Sequence, residues 1–148
     1  MRAKEYLKQL GQLNKLIENK LAERDQWKAI ATNVTQRLTS DRVQVSGNPQ
    51  RIEDAILKLV EVEKEVDAAI DKYVDTKREI IATITKLCNT NETYYDVLHK
   101  IYVQNYTLDD VAEMYRNSRS WIDQTHGRAL KILQRILDEM ERKNAVRN

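Results

Sequence analysis

The sequence is poor in residues that interrupt helices and in residues that cross-link a chain. Among its 148 residues are three Gly, one Pro and no Phe, whereas 32% of the residues are charged. This composition favours long, solvated helices over a sheet-rich core. The single cysteine, Cys88, excludes an intramolecular disulfide.

Long apolar runs and catalytic motifs are also missing. No apolar run approaches the roughly 20 residues that span a bilayer, and residues 1–6 lack the apolar core of a signal peptide. His99 and His126 are far apart and have no second Cys or His pair nearby, which argues against a metal site. No nucleophile triad, phosphate-binding glycine loop or paired-carboxylate motif is present. We therefore expect a cytoplasmic, non-enzymatic protein without a cofactor or a membrane partner.

Residues 1–90 carry the pattern of two helical arms. Residues 3–39 place apolar side chains three and four apart, which predicts one long helix, and the only Pro marks a loop at residues 40–50. Residues 51–88 predict the second arm because apolar residues recur every seven positions. The repeat consists of Ile52, Leu59, Val66, Tyr73, Ile80 and Leu87, with Ile56, Ile70 and Ile84 at the predicted companion position. Glu63 and Lys77 interrupt that position, and the adjacent Val62 and Thr76 offer partial replacements.

The two arms carry opposite net charges, which makes them candidate partners for each other. Residues 1–48 hold nine Lys or Arg and five Asp or Glu, whereas residues 49–91 hold seven and nine. An antiparallel coiled-coil hairpin of about 55 Å follows from the rise of a helix. A coiled coil between two copies is the alternative. A hairpin that also forms a homo-oligomer through its arms would satisfy both.

Residues 91–148 predict a second domain that contains two helices joined by a tight turn. Thr90 or Asn91 can cap a leading helix over residues 93–104, which Asn105 can close in the left-handed conformation. The turn-joined helices then have recognisable caps and buried stripes. Thr107 with Asp110 caps the first helix, and Ser118 caps the second. The buried stripes are Leu108, Val111, Ala112 and Tyr115 on the first helix and Ile122, Thr125, Ala129, Ile132 and Leu133 on the second. We expect the second helix to end near Lys143. This layout is that of a helix-turn-helix, whose second helix enters the DNA major groove.

Residues 111–133, VAEMYRNSRSWIDQTHGRALKIL, resemble region 4 of bacterial sigma-70-type factors. The correspondence runs without a gap through the Val-Ala, Ser-Arg and Arg-Ala-Leu elements, and residues 95–102 resemble the helix that leads into the motif. Arg116 stands where the family has the turn glycine, and Asn117 where it has an aliphatic residue. Because Asn tolerates the left-handed conformation, we expect the turn to shift by one residue. The overall layout is similar to that of small sigma-region-4-like proteins of phages and prophages of Gram-positive bacteria.

This resemblance implies contacts with double-stranded DNA. Arg119, Ser120, Asp123 and Gln124 would read bases, and Arg128 would contact phosphate or a protein partner, with a surface ion pair as the alternative for Arg128. Trp121 would lie at the groove edge or pack against the leading helix. Thr107, Arg116 and Ser118 would lie near phosphates at the helix starts and the turn. Residues 93–115 would contact the β flap of RNA polymerase.

Three functions remain open at this point. The preferred one is a phage or prophage sigma-like activator or accessory factor, because no counterpart of a promoter-melting domain is recognisable. Residues 115–135 hold five basic residues against Asp123 alone, as phosphate contact requires, although a solvated helix face would give the same count. The alternatives are a phage DNA-packaging protein of the small terminase type and a helical interaction protein without DNA binding.

Overall fold

The computed structural model describes residues 1–40 and 49–147, with side chains described for residues 1–33 and 50–147. Within these residues the chain is all-α and has no β-strand, so the predicted fold class is confirmed. The α-helices are α1 (Ala3–Ser40), α2 (Pro49–Thr85), α3 (Glu92–Leu98), α4 (Leu108–Met114) and α5 (Arg119–Arg147). A 3₁₀ turn (Lys86–Asn89) follows α2, and a π-helical segment (His99–Val103) follows α3. Among the helices described, none has a stretch that is both apolar and long enough to cross a membrane.

The helix ends differ from prediction in two places. Most of the predicted loop, residues 41–48, lies outside the described residues, but its two ends are helical. Pro49 is the first residue of α2, where its fixed φ suits a helix and its missing N–H is not needed. α5 continues to Arg147, four residues beyond the predicted end near Lys143.

The chain divides into two compact units, Leu13–Tyr73 and a second unit built from Met1–Gln12 and Val74–Asn148. This division differs from the predicted boundary at residue 90. The reason is that the first turns of α1 bury apolar side chains within the second unit. There Tyr6 Oη donates to Thr83 Oγ1 at 3.0 Å, and the Ala3 N–H donates to Gln134 Oε1 at 2.7 Å. Both ends of the chain therefore contribute to this unit.

In the unit Leu13–Tyr73, a stripe of buried and half-buried side chains recurs at three- and four-residue spacing in both helices. On α1 the stripe contains Leu13, Ile17, Lys20, Arg24, Trp27 and Ala31, with Leu21 and Glu23 half-buried beside it, and on α2 it contains Ile52, Ala55, Leu59, Val62, Val66, Ala69 and Tyr73, with Lys58 and Glu65 half-buried beside it. The seven-residue repeat of the sequence is confirmed, but its companion position here is not the one predicted. Ala55, Val62 and Ala69 are buried, whereas Ile56 and Ile70 are 47% and 40% exposed.

A contact within this unit bears on the relative direction of its helices. Lys20 Nζ donates to Glu65 Oε2 at 2.7 Å, so the two helices lie side by side. In a parallel pair held by this contact, Ser40 and Pro49 would be about 54 Å apart along the helix axes. The eight residues between them reach about 32 Å at full extension. The ion pair therefore favours the antiparallel order predicted for the arms.

The position of Val62 generates a stability prediction. Val62 is fully buried, so Val62→Asp would bury a charge without a partner. We expect the free energy of unfolding to fall by at least about 3 kcal/mol. Glu61 is exposed, and its ion pair with Lys58 is a surface pair at 3.4 Å. Glu61→Ala should therefore change the free energy of unfolding by less than about 0.5 kcal/mol. Urea unfolding of both variants makes the comparison, and an equal loss in both would contradict the observed register of α2.

Candidate nucleic-acid interface

The start of α4 is fixed by a reciprocal cap. Thr107 Oγ1 accepts a hydrogen bond from the Asp110 N–H, and Asp110 Oδ2 accepts one from the Thr107 N–H, both at 3.1 Å. These two bonds satisfy backbone donors that a helix start leaves unpaired, and the predicted capping box is confirmed. The leading helix is also closed as predicted, because Asn91 caps its start and Asn105 has a φ of 65° after its end.

The end of α4 places Arg116 in the left-handed conformation, with a φ of 52°. The Arg116 N–H donates to the Glu113 carbonyl and the Asn117 N–H to the Ala112 carbonyl, each at 2.9 Å. This pair of bonds is a Schellman motif, in which the left-handed position is usually glycine. The expectation that the turn shifts to Asn117 is therefore wrong. Arg116 itself occupies the family's glycine position, and Asn117 Oδ1 instead accepts from the Ser118 N–H at 2.8 Å.

α5 begins after Ser118, whose Oγ accepts a hydrogen bond from the Trp121 N–H at 3.0 Å, as predicted for its cap. Beneath the turn, four buried residues from α3, α4 and α5 form one apolar cluster: Val97, Val111, Ala112 and Ile122. The buried stripe of α5 continues through Thr125, Ala129 and Leu133 to Leu137, whereas Ile132 is only half-buried. This packing fixes which face of α5 remains exposed.

Trp121 is half-buried and packs against this cluster. Its ring centroid lies 5.2 Å from that of Tyr115, which caps the end of α4. Of the two positions considered for Trp121, the structure supports the packed one, and the ring that Trp121 contacts belongs to the end of α4. Its remaining exposed edge is the only part of the side chain that could meet DNA.

A polar network ties the leading helix to the turn. The Tyr115 hydroxyl donates to Asp96 Oδ2, and Lys100 Nζ donates to Asp96 Oδ1 at 2.5 Å. Burial raises the pKa of Asp96, but the hydrogen bonds from Lys100 and Tyr115 outweigh it and leave that pKa below its ordinary value. Burial, together with the bond to Asp96, raises the pKa of Tyr115. This network joins Asp96 of α3 to Tyr115, the residue that caps the end of α4 beside the turn.

A second polar contact joins the π-helical segment to α5. Tyr102 Oη and His126 Nε2 lie 2.8 Å apart, and the two rings are stacked with centroids 5.7 Å apart. Burial raises the pKa of Tyr102 to about 12 and lowers that of His126. Both groups are therefore neutral at neutral pH, and the contact is a hydrogen bond within the packing of α5.

The remaining predicted site residues lie on the surface around the turn. Ser120, Gln124 and Arg128 are exposed on α5, where side chains from its first turns are available to a base edge. Arg116 is exposed at the turn. Thr107 and Ser118 are exposed as well, but both hydroxyls already accept backbone hydrogen bonds as caps. Arg116 and Ser118 therefore lie at the turn, Ser120 and Gln124 lie in the first turns of α5, and Arg128 lies more than two turns along that helix from Arg119.

Arg119, the residue predicted to read guanine, is paired with two carboxylates. Its Nη1 donates to Asp109 Oδ1 at 2.7 Å and its Nε to Asp123 Oδ1 at 3.0 Å. The hydrogen bonds to Asp109 and Asp123 raise the pKa of Arg119. Asp123 is therefore engaged by a neighbouring side chain, and Asp109 joins the site although sequence reasoning did not include it.

Two basic residues that were counted in residues 115–135, but were not assigned as site residues from the sequence, extend the exposed face. Lys131 and Arg135 follow Arg128 at three- and four-residue spacing, so the three share one face of α5, and all are exposed. None of them has an ion-pair partner among the residues that the structure describes. The spacing of Lys131 and Arg135 from Arg128 is the sequence signal that places the three residues on one helix face. We call Arg128, Lys131 and Arg135 the basic row.

A shallow groove lies beside α3 in the same unit. It has a volume of about 410 Å³ and is lined by Cys88, Glu92, Thr93, Tyr95, Asp96 and Tyr115. The lining combines aromatic faces with two carboxylates. The groove falls mostly within residues 93–115, the range to which the resemblance assigns a polymerase contact.

The conformation of Arg116 generates a second stability prediction. A side chain in the left-handed region costs about 1–2 kcal/mol, and glycine avoids that cost but gains entropy in the unfolded chain. We expect Arg116→Gly to raise the free energy of unfolding by about 0.5–1 kcal/mol. Arg135→Gly, at an exposed helical position of α5, should lower it by about 1 kcal/mol. Denaturant unfolding measures both, and destabilisation by Arg116→Gly would contradict the left-handed assignment.

No protein-family model, curated protein or solved structure matches this chain. The similarity to sigma region 4 accordingly rests on the residues of the sequence, and the geometry of the turn is an independent observation beside it.

Proposed function

We propose that the chain is a DNA-binding transcription regulator that uses the first turns of α5 to read promoter DNA. The observation that carries this proposal is the pair α4 and α5, joined by a capped turn that leaves one face of α5 exposed. A helix held in this way fits the major groove. The basic row supplies three unpaired cations along the same helix, which suits phosphate contact.

The proposed roles divide between specificity and affinity. Ser120 and Gln124 contact base edges, together with Arg119. Asp123 accepts a hydrogen bond either from cytosine or from Arg119. Arg116, Arg128 and the rest of the basic row contact phosphates, with Thr107 and Ser118 at the helix starts. Trp121 contributes through packing and its exposed edge.

The wider role follows from the resemblance. We propose a cytoplasmic, sigma-like activator of phage or prophage gene expression that acts at promoters with RNA polymerase. The groove beside α3 is the surface on which a polymerase β-flap contact would fall. Tyr95 and Tyr115 supply aromatic faces there, which are common in protein interfaces.

One group of observations favours the alternative of an interaction protein without DNA binding. α4 carries three exposed acids, Asp109, Asp110 and Glu113, and no basic residue. Arg119 is paired with carboxylates instead of being free. Both features lower the positive potential around the turn. DNA titration decides between the two functions.

Self-association through the arms is a further part of the proposal. In the unit Leu13–Tyr73, four large apolar side chains on α2 are 40–67% exposed: Ile56, Leu57, Val60 and Ile70. Exposed apolar residues that recur along one helix are typical of a surface that packs against another protein. A DNA-packaging protein of the small terminase type would use such arms to assemble a ring.

Two arginine variants test DNA binding. If Arg119 reads guanine, Arg119→Ala should weaken binding to a selected duplex by about 1–3 kcal/mol and relax its sequence preference. Arg128→Ala should weaken binding to the selected and the scrambled duplex alike. It should also lower the magnitude of the salt slope, which is the slope of the logarithm of the binding constant against the logarithm of the salt concentration, by about one. Both residues are exposed, so both variants should keep wild-type helicity by circular dichroism. Fluorescence titration at several salt concentrations gives the binding constants.

Two results of that titration would count against the proposal. Full-strength, selective binding by Arg119→Ala would remove α5 as the reading helix. Absence of binding to any duplex by the wild-type chain would leave the interaction protein as the better function.

Light scattering of the intact chain tests self-association. We expect a small oligomer, and Ile70→Asp should reduce it to the monomer because a charge would enter the apolar contact. Lys72→Asp, at an exposed position two residues away, is the control that should leave the mass unchanged. A ring of many subunits would favour the packaging alternative, and a wild-type monomer at all concentrations would reject self-association.

A further inference from the structure

The side chains around Arg119 form a three-residue ion cluster that spans α4 and α5. Asp109 lies in the first turn of α4, and Asp123 lies one turn beyond Arg119 on α5. We propose that Asp109 is a positioning residue, which together with Asp123 orients the Arg119 guanidinium toward a guanine edge and makes the site unfavourable for phosphate. This inference rests on the proposed DNA-binding function and concerns its specificity.

The hydrogen bonds of the cluster leave the outer end of the guanidinium available. An arginine has five N–H donors, and here one donor on Nε and one on Nη1 are used. One donor remains on Nη1 and two remain on Nη2. The two Nη2 donors are free of the cluster and can donate to guanine O6 or N7. The carboxylates therefore restrict the orientation of Arg119 and leave three of its five donors for DNA.

The charges of the cluster discriminate between a base and a phosphate. One guanidinium and two carboxylates carry a net charge of −1, which repels a phosphate but not the neutral edge of a base pair. An arginine without these acids would instead stand at a helix start, a position that itself favours anions. Asp109 and Asp123 thus remove a sequence-independent phosphate contact at Arg119. The basic row, more than two turns further along α5, supplies that contact separately.

Asp109 is the informative member of the cluster because it lies on the other helix. Its side chain is 76% exposed, and that of Arg119 is 51% exposed, so water screens the pair and its loss should not unfold the protein. The first turn of α4 is held by the Thr107 and Asp110 cap whatever residue stands at position 109. Asp109→Asn therefore removes the charge and keeps the fold. Glu113→Gln removes a charge from the same helix at an exposed residue with no ion pair among those described, and it serves as the matched control.

The experiment compares wild type, Asp109→Asn, Glu113→Gln, Arg119→Ala and the double variant Asp109→Asn with Arg119→Ala. Each is titrated with a duplex enriched from a random-sequence pool by the wild-type chain, and with a scrambled duplex of the same composition. Asp109→Asn should tighten binding to the scrambled duplex by about 2–5-fold and steepen the salt slope by up to about 0.9. The ratio of enriched to scrambled affinity should fall by about 5-fold or more. Glu113→Gln should leave that ratio unchanged.

The double variant shows whether Asp109 acts through Arg119. In the Arg119→Ala background, Asp109→Asn should leave the ratio unchanged, because the group that it orients is missing. The same fall in that background would overturn the positioning role, since Asp109 would then act on DNA directly. An unchanged ratio in the single variant, with a selective wild type, would overturn the inference and leave the proposed function standing. Failure of the wild type to enrich any duplex would overturn both.

Discussion

The capped turn between α4 and α5 is the constraint on which the candidate interface depends. Arg116 takes the left-handed conformation at a cost of about 1–2 kcal/mol. Two capping hydrogen bonds and the burial of Val111, Ala112 and Ile122 accompany this conformation and offset its cost. Once Ile122 enters the cluster, the helical period decides that Gln124 faces solvent. The exposed face of α5 therefore follows from the conformation of one residue and from the packing beneath it.

Charge on the second unit is arranged in two separate regions. The basic row along α5 has no carboxylate partner among the described residues, whereas Arg119 has two. Phosphate contacts supply affinity without sequence information, and base contacts supply specificity. A helix that separates free cations from a restrained arginine is suited to perform both tasks at different points along its length. Asp109 of α4 is consistent with this division, because its pairing with Arg119 disfavours phosphate at that residue.

The arms follow a different physical rule from the C-terminal helices. In the unit Leu13–Tyr73, a seven-residue repeat packs two long helices through a narrow stripe, which includes Lys20 and Arg24 as well as apolar residues. Two helices alone cannot cover every apolar side chain, and Ile56 and Ile70 remain exposed. In the other unit, the first turns of α1 and the end of α2 contribute buried residues to a larger core. The long helices thus serve two packing environments along their length.

The sequence alone determined the features that depend on residues close together in the chain. Helix starts at Asn91 and Thr107, the left-handed Asn105 and the seven-residue repeat all follow from contacts within a turn or two, and the structure has each of them. The tertiary structure decided the rest. The set that begins at Ile56 is bulkier but is interrupted by Glu63 and Lys77, whereas the set that begins at Ala55 is small and uninterrupted. The packing of the two helices selects the second set. Left-handed Arg116 is unfavourable locally and is adopted because the cap and the buried cluster together outweigh its cost. Arg119 meets Asp109 because two helices cross at a particular angle, which no local pattern encodes.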